Sequence, residues 1–236
     1  MPTRQRDGEV KLIARARLGD PVGEILAYVE EAHSDLIAMT THGRSGWKRW
    51  VLGSVAQTVL RRTSVPVLLV RAPAAPAAYR ATGDMTVEMH HILAPTDFSE
   101  FSKKAIEYAF GLAQRFGAKL SLLHVIEMPA FPVEGFMPPG PGATLLEDLE
   151  RQARLDLAGL LPEAKAAKVE VVRLVVMGKP YREIVETAAA ENVDLIVMAT
   201  HGRTGLSHLL IGSVAERVVR TAPCPVLTLR PTVEPS

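Results

Sequence analysis

The sequence contains a single cysteine, Cys224, so it cannot form an internal disulfide, and such scarcity is typical of proteins in a reducing compartment. No apolar run approaches the roughly 18 residues needed to cross a bilayer. The first ten residues are charged and lack the apolar stretch of a secretory signal. Neither sign of charge prevails, because 27 Lys and Arg oppose 26 Asp and Glu. We therefore expect a cytoplasmic protein that binds neither nucleic acid nor membrane.

The chain does contain an internal repeat, and it is apolar enough to bury a core, with 47% hydrophobic residues. Gly19–Arg71 aligns with Gly178–Arg230 without a gap, and about 23 of roughly 53 aligned positions are identical. We predict two copies of one domain. The first covers residues 1–73, an Ala- and Pro-rich linker covers 74–88, and the second covers 89–232.

The second copy alternates strand and helix signals. Its predicted strands are "HHILAPTD", "KLSLLHVIE", "VEVVRLVV", "VDLIVMAT" and "PVLTLR". The first helix begins after Ser99 and ends at Gly117, and later helices cover Thr144–Leu160, "YREIVETAAAE" and Ser213–Thr221. This alternation predicts an α/β fold with a parallel sheet covered by helices on both faces. The first copy retains only the last three strands, beginning at Val10–Ala16, and the last two helices.

A glycine-rich stretch follows the fourth strand of the second copy. Gly202 permits a sharp turn and a close approach of backbone to a ligand. After nine intervening residues, Gly212 and Ser213 open a helix, whose N-terminus offers unpaired N–H groups and a partial positive charge. Because ligands of open α/β sheets bind beyond the carboxyl ends of the strands, this spacing predicts a phosphate site there.

On these motifs the chain resembles the universal stress protein family, whose signature is Gly, two residues, Gly, nine residues, then Gly-Ser or Gly-Thr. Gly202, Gly212 and Ser213 match it, together with "LAPTDFSE" and "LLHVIE", and the first copy matches it at Gly43 and Gly53-Ser54. The family's first glycine falls at Ala199 here, and at Thr40 in the first copy. The resemblance implies a Rossmann-like, adenine nucleotide alpha hydrolase-like fold with a five-stranded parallel sheet of order 3-2-1-4-5.

The resemblance also implies an adenine nucleotide, with ATP expected, Mg²⁺ as an accompanying ion, and AMP or a cyclic nucleotide as open alternatives. It implies one ATP per chain, held within residues 90–231, because the first copy lacks counterparts of Asp97 and Val125. The predicted site residues are Pro95, Thr96, Asp97, Val125, Ala199, Thr200, His201, Gly202, Arg203, Gly205, Gly212, Ser213 and Val214.

Simpler interpretations stay open beside these. Asp97 could cap the turn after the first strand, and Gly212 and Ser213 could be only a turn and a helix cap. We expect a regulatory protein of a stress response. The alternatives are a nucleotide-free dimerisation or interaction module, and an enzyme with slow ATP hydrolysis or autophosphorylation. No "GxxxxGK" pattern occurs, and we assign no catalytic residue and no metal ligand.

The resemblance further implies a homodimer and antiparallel pairing of the final strands, Val67–Arg71 and Val226–Arg230. Without its first two strands, the first copy would expose a strand edge. Three solutions stay open: the third strand, Val10–Ala16, moves beside the fourth, another chain supplies the missing strands, or the natural protein begins earlier.

Overall fold

The computed structural model describes residues 12–41, 52–70, 88–127, 141–161, 169–202 and 211–230. The helices are α1 (Pro21–Glu31), α2 (Ser54–Arg62), α3 (Glu100–Phe116), α4 (Pro141–Ala158), α5 (Pro180–Ala190) and α6 (Ser213–Thr221). The strands are β1 (Ile37–Thr40), β2 (Val67–Val70), β3 (His91–Thr96), β4 (Lys119–Ile126), β5 (Val171–Met177), β6 (Leu195–Ala199) and β7 (Val226–Leu229). No helix in these ranges is both long and apolar enough to cross a membrane.

The ends of α3 show how local sequence sets these elements. The Ser99 side chain accepts a hydrogen bond from the Ser102 N–H, which satisfies one of the unpaired donors of the first turn. Gly117 ends the helix in the left-handed conformation, with φ of 67°, where glycine has no Cβ to strain. Both predicted boundaries of this helix are confirmed.

The seven strands form one sheet in the order β1-β2-β7-β6-β3-β4-β5. The last five strands of this order, from β7 to β5, are all parallel to one another. Numbered along the chain from β3, these five strands have the order 3-2-1-4-5. The predicted fold class is confirmed, and two further strands extend the sheet beyond β7.

The core lies on both faces of the sheet, as a parallel sheet requires. Consecutive residues of a strand point to opposite faces, so Leu93 and Ile196 belong to one apolar cluster while Ala94 and Val197 belong to the other. The first cluster includes apolar side chains of α1, α2, α5 and α6, and the second includes those of α3. Cys224 packs against the first cluster, and burial raises the pKa of its thiol to about 11.

The N-terminal segment (residues 12–70) joins the C-terminal segment (residues 88–230) through β2 and β7. These strands pair antiparallel, with Leu68 opposite Leu227. The predicted pairing of the final strands is therefore present, here within a single chain. The Thr228 hydroxyl also donates to the Val67 carbonyl across this junction.

One predicted strand of the N-terminal segment is wrong. Of the predicted strand Val10–Ala16, the described residues from Leu12 onward belong to no strand. Within the described ranges β1 pairs with β2 alone, so the third strand has not moved beside the fourth. The physical reason is that a segment becomes a strand only when it pairs with another strand. The strand propensity of its own residues does not provide that second strand.

Candidate functional site

A cavity of about 630 Å³ lies at the carboxyl ends of β3, β4 and β6. This is the switch point of the sheet, because the chain leaves β3 toward β4 on one side and returns to β6 on the other. Its volume falls in the ordinary range of small-molecule sites. The predicted residues that line it are Pro95, Thr96, Asp97, Val125, Ala199, Thr200, His201, Gly202, Gly212, Ser213 and Val214.

The two remaining predicted site residues, Arg203 and Gly205, lie outside the described residues. The other predictions came from three separate stretches of sequence, and the fold brings those stretches to one rim. Their contact with a nucleotide stays a prediction.

The turn after β3 fixes the Asp97 carboxylate. Its Oδ1 accepts hydrogen bonds from the N–H and the hydroxyl of Ser99, at 3.1 Å and 2.6 Å. Between them Phe98 adopts φ of 65°, a strained value for a non-glycine residue, and its N–H donates to the Thr96 hydroxyl. Asp97 therefore does cap this turn, as the simpler interpretation proposed.

The second oxygen of that carboxylate lies beside the glycine loop. A Cβ built on Gly202 would stand 2.5 Å from Asp97 Oδ2, closer than such atoms can approach. Glycine at position 202 thus lets the loop after β6 contact the turn after β3. The predicted close approach of the Gly202 backbone to a ligand stays a prediction.

A second close contact joins the end of β6 to the start of α6. The Gly212 N–H donates to the Thr200 carbonyl at 2.8 Å, and a Cβ on Gly212 would lie 3.2 Å from that oxygen. The Thr200 N–H in turn donates to Leu229 of β7. The chain on either side of residues 203–210 is therefore held together, and the N-terminus of α6 is fixed at the rim of the cavity.

The first turn of α6 offers donors to a ligand. The helix begins after Gly212, which has no side chain to cap it, and its first internal hydrogen bond is donated by the Glu216 N–H. The N–H groups of Ser213, Val214 and Ala215 therefore have no partner within the helix. All three residues line the cavity, so the partial positive charge of the helix N-terminus lies at its wall.

The N-terminal segment repeats this local geometry. The Gly53 N–H donates to the Thr41 carbonyl at 2.9 Å, and Gly53 has φ and ψ of −58° and 143°, against −59° and 143° at Gly212. Among residues 12–41 and 52–70, however, no strand corresponds to β3 or β4. The glycine turn is thus repeated without the elements that carry Asp97 and Val125.

The described residues of the cavity wall include acidic side chains but no basic Lys or Arg. The acidic residues are Asp97, Glu127 and Asp156. Among the described residues, backbone N–H groups and the Ser213 hydroxyl are donors that a phosphate in this cavity could use. No group of three His, Cys, Asp or Glu side chains that could hold a metal ion occurs in the described part of the chain. The Mg²⁺ that accompanies the nucleotide stays a prediction.

Several lining residues were not predicted. The Phe98 and His124 rings lie 4.4 Å apart between centroids, and a hydrogen bond of 2.8 Å joins His124 Nδ1 to the Thr96 carbonyl. Gln152 and Asp156 come from α4, and Ile184 comes from α5. The motif "LLHVIE" contains His124, but no local pattern indicates that α4 reaches this rim.

Comparison with known proteins agrees with this architecture. The family model described as "Universal stress protein family" matches residues 2–71 and 88–230. The chain is 36% identical over 139 residues to Universal stress protein MJ0531 of Methanocaldococcus jannaschii, which is 59% of this chain and 81% of that protein. It is 29% identical over 220 residues to Universal stress protein Rv2005c of Mycobacterium tuberculosis, covering 89% of this chain and 66% of that protein. The chain thus spans about two thirds of the length of the mycobacterial relative.

Two solved structures resemble the whole chain or its larger part. A universal stress protein from Archaeoglobus fulgidus DSM 4304 matches with a TM-score of 0.61 and 26% identity, covering 93% of this chain and 70% of that one. The structure of hypothetical protein MJ0577 matches with a TM-score of 0.55 and 32% identity, covering 63% of this chain and all of that one.

Proposed function

Because the chain belongs to the universal stress protein family, we propose that it is a stress-response regulatory protein that binds one adenine nucleotide, ATP, in the cavity at the carboxyl ends of β3, β4 and β6. The observation that carries the proposal is the convergence at one rim of the Asp97 turn, Val125 and the N-terminus of α6. The family resemblance implies that the adenosine contacts the Asp97 turn and Val125, and that the phosphates lie at the N-terminus of α6.

The part of the cavity proposed for the adenosine combines apolar wall with a carboxylate that can accept hydrogen bonds. Leu123, Val125 and Met198 provide apolar wall, which suits the faces of a purine. Asp97, held by Ser99, places a carboxylate acceptor that ribose hydroxyls can donate to. Ala199, which replaces the first glycine of the family signature, is itself part of the wall, and the cavity is present with its methyl group in place.

Among the described residues, the phosphate end offers donors without formal charge. The N–H groups of Ser213 and Val214 and the Ser213 hydroxyl lie at the wall, where the helix dipole favours an anion. Since phosphoryl transfer uses a positioned cation and a metal ion, the absence of a "GxxxxGK" pattern supports binding rather than efficient turnover. A single-turnover assay with labelled ATP measures this directly, and release of phosphate within seconds would assign an enzyme instead.

The test of ATP binding compares substitutions at Gly212 and Gly53, which occupy the same position in the two copies of the glycine turn. We expect isothermal titration with ATP to give one site per chain. Gly212→Val should weaken ATP at least about tenfold, since its side chain meets the Thr200 carbonyl and displaces the first turn of α6. Gly53→Val, the same change at the repeated turn, should leave affinity unchanged, because residues 12–41 and 52–70 contain no counterparts of β3 and β4.

Three results would contradict the proposal: no binding to the parent chain, two equal sites per chain, or equal losses in the two variants. Circular dichroism of both variants shows whether either substitution has altered the fold. We also propose the division into units at 1–73 and 89–232 with a linker at 74–88. The cytoplasmic location and the homodimer stay predictions.

A further inference from the structure

Strand β5 forms one end of the seven-stranded sheet and, within the described residues, pairs with β4 alone. All six residues of the central strand β3 are buried, whereas no residue of β5 is buried and its Met177 is 40% exposed. A strand at the end of a sheet presents a row of N–H and C=O groups along its outer side. The outer side of β5 is therefore a surface that can pair with a further strand.

The sequence of β5 has few of the features that prevent such pairing. Short length, proline, bulges and exposed charges protect the end strands of natural sheets. β5 has seven residues, no proline and an unbroken register with β4. Its one charged residue, Arg173, donates to the Leu157 and Leu160 carbonyls at the end of α4. The strand at the other end of the sheet, β1, has only four residues. β5 is thus the longer end of the sheet and the one better suited to pairing.

Two hydrogen bonds show which backbone groups of β5 point outward. The Leu120 N–H of β4 donates to the Glu170 carbonyl just before β5. The Gly178 N–H just after β5 donates to the Ile126 carbonyl of β4. Because backbone groups alternate between the two sides of a strand, the even-numbered positions face β4 and the odd-numbered positions face outward. The residues with outward N–H and C=O groups are Val171, Arg173, Val175 and Met177.

The final strands of the two repeats are occupied within the chain. β2 lies between β1 and β7, and β7 lies between β2 and β6, so both strands have a neighbour on each side. A homodimer that extends the sheet must therefore pair at one of the two ends of the sheet, and not at β2 or β7.

We propose that β5 is a homodimer interface, in which it pairs antiparallel with β5 of a second copy of this chain. The twofold register is centred on Leu174, which lies opposite Leu174 of the second copy. The outward residues then face each other in the pairs Val171 with Met177 and Arg173 with Val175. Antiparallel partners exchange both hydrogen bonds at such positions, so every outward N–H and C=O group of the strand is satisfied. A register centred on Arg173 would instead place two like charges opposite each other.

The residues that flank β5 identify a second copy as the partner. Glu170 precedes the strand, Lys179 follows it, and both are exposed. Antiparallel pairing brings the start of one strand to the end of the other, so each Glu170 lies beside Lys179 of the second copy. Twofold symmetry forms this opposite-charge pair twice, and such pairs stabilise a sheet. The strand and its flanks are therefore complementary to themselves in the antiparallel orientation.

Sedimentation equilibrium of the full chain tests the interface. A single strand pair is smaller than a standard interface of roughly 1,200–2,000 Å², so we expect a dimer with a dissociation constant in the micromolar range. Val175→Pro removes an outward N–H and leaves the hydrogen bonds to β4 in place. It should weaken the dimer at least about tenfold, because the symmetric interface loses the bond twice.

Ala38→Pro is the matched control at the other end of the sheet. In β1 the N–H groups of Ile37 and Thr41 donate to carbonyls of Pro66 and Val70, so the Ala38 N–H faces outward from the sheet. The substitution introduces the same residue at an equivalent outward position. We expect it to leave the dissociation constant of the dimer unchanged.

Charge reversal tests the antiparallel orientation with substitutions at exposed positions, which do not disturb the core. Glu170→Lys or Lys179→Glu alone replaces two attractive pairs by two repulsive ones, so each should weaken the dimer at least about threefold. The two changes combined restore opposite charges and should return the dissociation constant to that of the parent chain. Glu107→Lys, at an exposed position of α3, should have no effect.

Hydrogen exchange locates the interface in the parent chain. Exchange of the four outward amides of β5 should slow as the protein concentration rises, and exchange of the Ala38 amide should not. A parent chain that stays monomeric through the micromolar range would overturn the proposal. So would equal effects of Val175→Pro and Ala38→Pro, or a double charge variant that associates no better than the single ones. Outward amides already protected in the monomer would show that another part of the same chain covers β5.

Discussion

The contact between Asp97 and Gly202 ties the two ends of the candidate site together. One carboxylate oxygen is held by Ser99 and the other lies against the glycine loop. A side chain at position 202 would therefore collide with the Asp97 carboxylate. The role of Gly202 is thus set by a neighbour more than one hundred residues away in sequence, as well as by the turn in which it lies.

The substitution Gly202→Ala tests this contact. Its Cβ would stand 2.5 Å from Asp97 Oδ2, so the Asp97 carboxylate, its turn or the glycine loop must shift. We expect a loss of about 1–3 kcal/mol in the free energy of unfolding by urea, the usual cost of overpacking. ATP affinity should fall at least about tenfold, because both ends of the site move.

Gly111→Ala is the control for this change. Gly111 lies inside α3 and a Cβ there would meet nothing within 4 Å, so the substitution should stabilise the protein by about 0.5–1 kcal/mol.

Adding Asp97→Ala to Gly202→Ala should recover part of the lost stability, since the clash disappears. If the two substitutions are additive, the contact does not have the role assigned to it.

Among single residues, the glycines of the candidate site could be predicted from the sequence, whereas Phe98 and His124, which also line the cavity, could not. The turn at Gly212 follows from a Gly-Ser pair before an apolar helix, which is a local signal. The packing of Phe98 on His124 joins the turn after β3 to the neighbouring strand β4. No local pattern indicates such contacts, so these residues were missed.

Among the elements, α4 depends on a residue of β5 for its C-terminal end. The Arg173 guanidinium donates to the Leu157 carbonyl through Nε and to the Leu160 carbonyl through Nη2, both at 2.8 Å. Leu157 lies in the last turn of α4, where a helix carries partial negative charge, and Leu160 lies two residues beyond the end of the helix. Arg173 thus fixes the position of a helix that contributes Gln152 and Asp156 to the cavity.

We expect Arg173→Met to destabilise the protein by about 1–2 kcal/mol, since it leaves two helix-end carbonyls without this donor. Arg173→Lys should recover part of that loss, because a single ammonium cannot reproduce the two-pronged geometry. Urea unfolding gives the free energies, and hydrogen exchange along α4 locates the change.

Arg151→Met on the same helix is the matched control. Arg151 pairs with Asp148 at the surface, where both side chains are exposed, so its loss should cost less than about 0.5 kcal/mol. Equal effects of Arg173→Met and Arg151→Met would show that the end of α4 does not need its cap.

The elements also show the limit of local patterns. The bounds of α6 were predicted because Gly212 precedes the helix and apolar residues recur at helical spacing along it. The start of α4, at Pro141 rather than Thr144, differs by three residues, an ordinary uncertainty for a helix boundary. The wrong prediction of a strand at Val10–Ala16, of which residues 12–16 are described, has another cause. A strand is defined by its neighbour, and the sequence of the strand itself contains no information about whether that neighbour is present.

At the scale of the whole molecule, a single apolar cluster crosses the junction of β2 and β7. It contains Val59 and Leu69 of the N-terminal segment together with Leu93 and Ile196 of the C-terminal segment. The sheet is continuous through the same junction. The two segments therefore share a core, and their stabilities cannot be independent.

This predicts one cooperative unfolding transition in urea, with the same midpoint by fluorescence and by circular dichroism. Leu69→Ala, in β2, removes a side chain that is 2% exposed and should cost about 2–5 kcal/mol. The loss should lower the midpoint of the single transition and speed amide exchange in β6 as well as in β1. Leu145→Ala, at a position 55% exposed, should shift the midpoint by less than the equivalent of about 0.5 kcal/mol. Two separate transitions, with Leu69→Ala moving only one of them, would instead show that β2 and β7 join two domains that unfold independently.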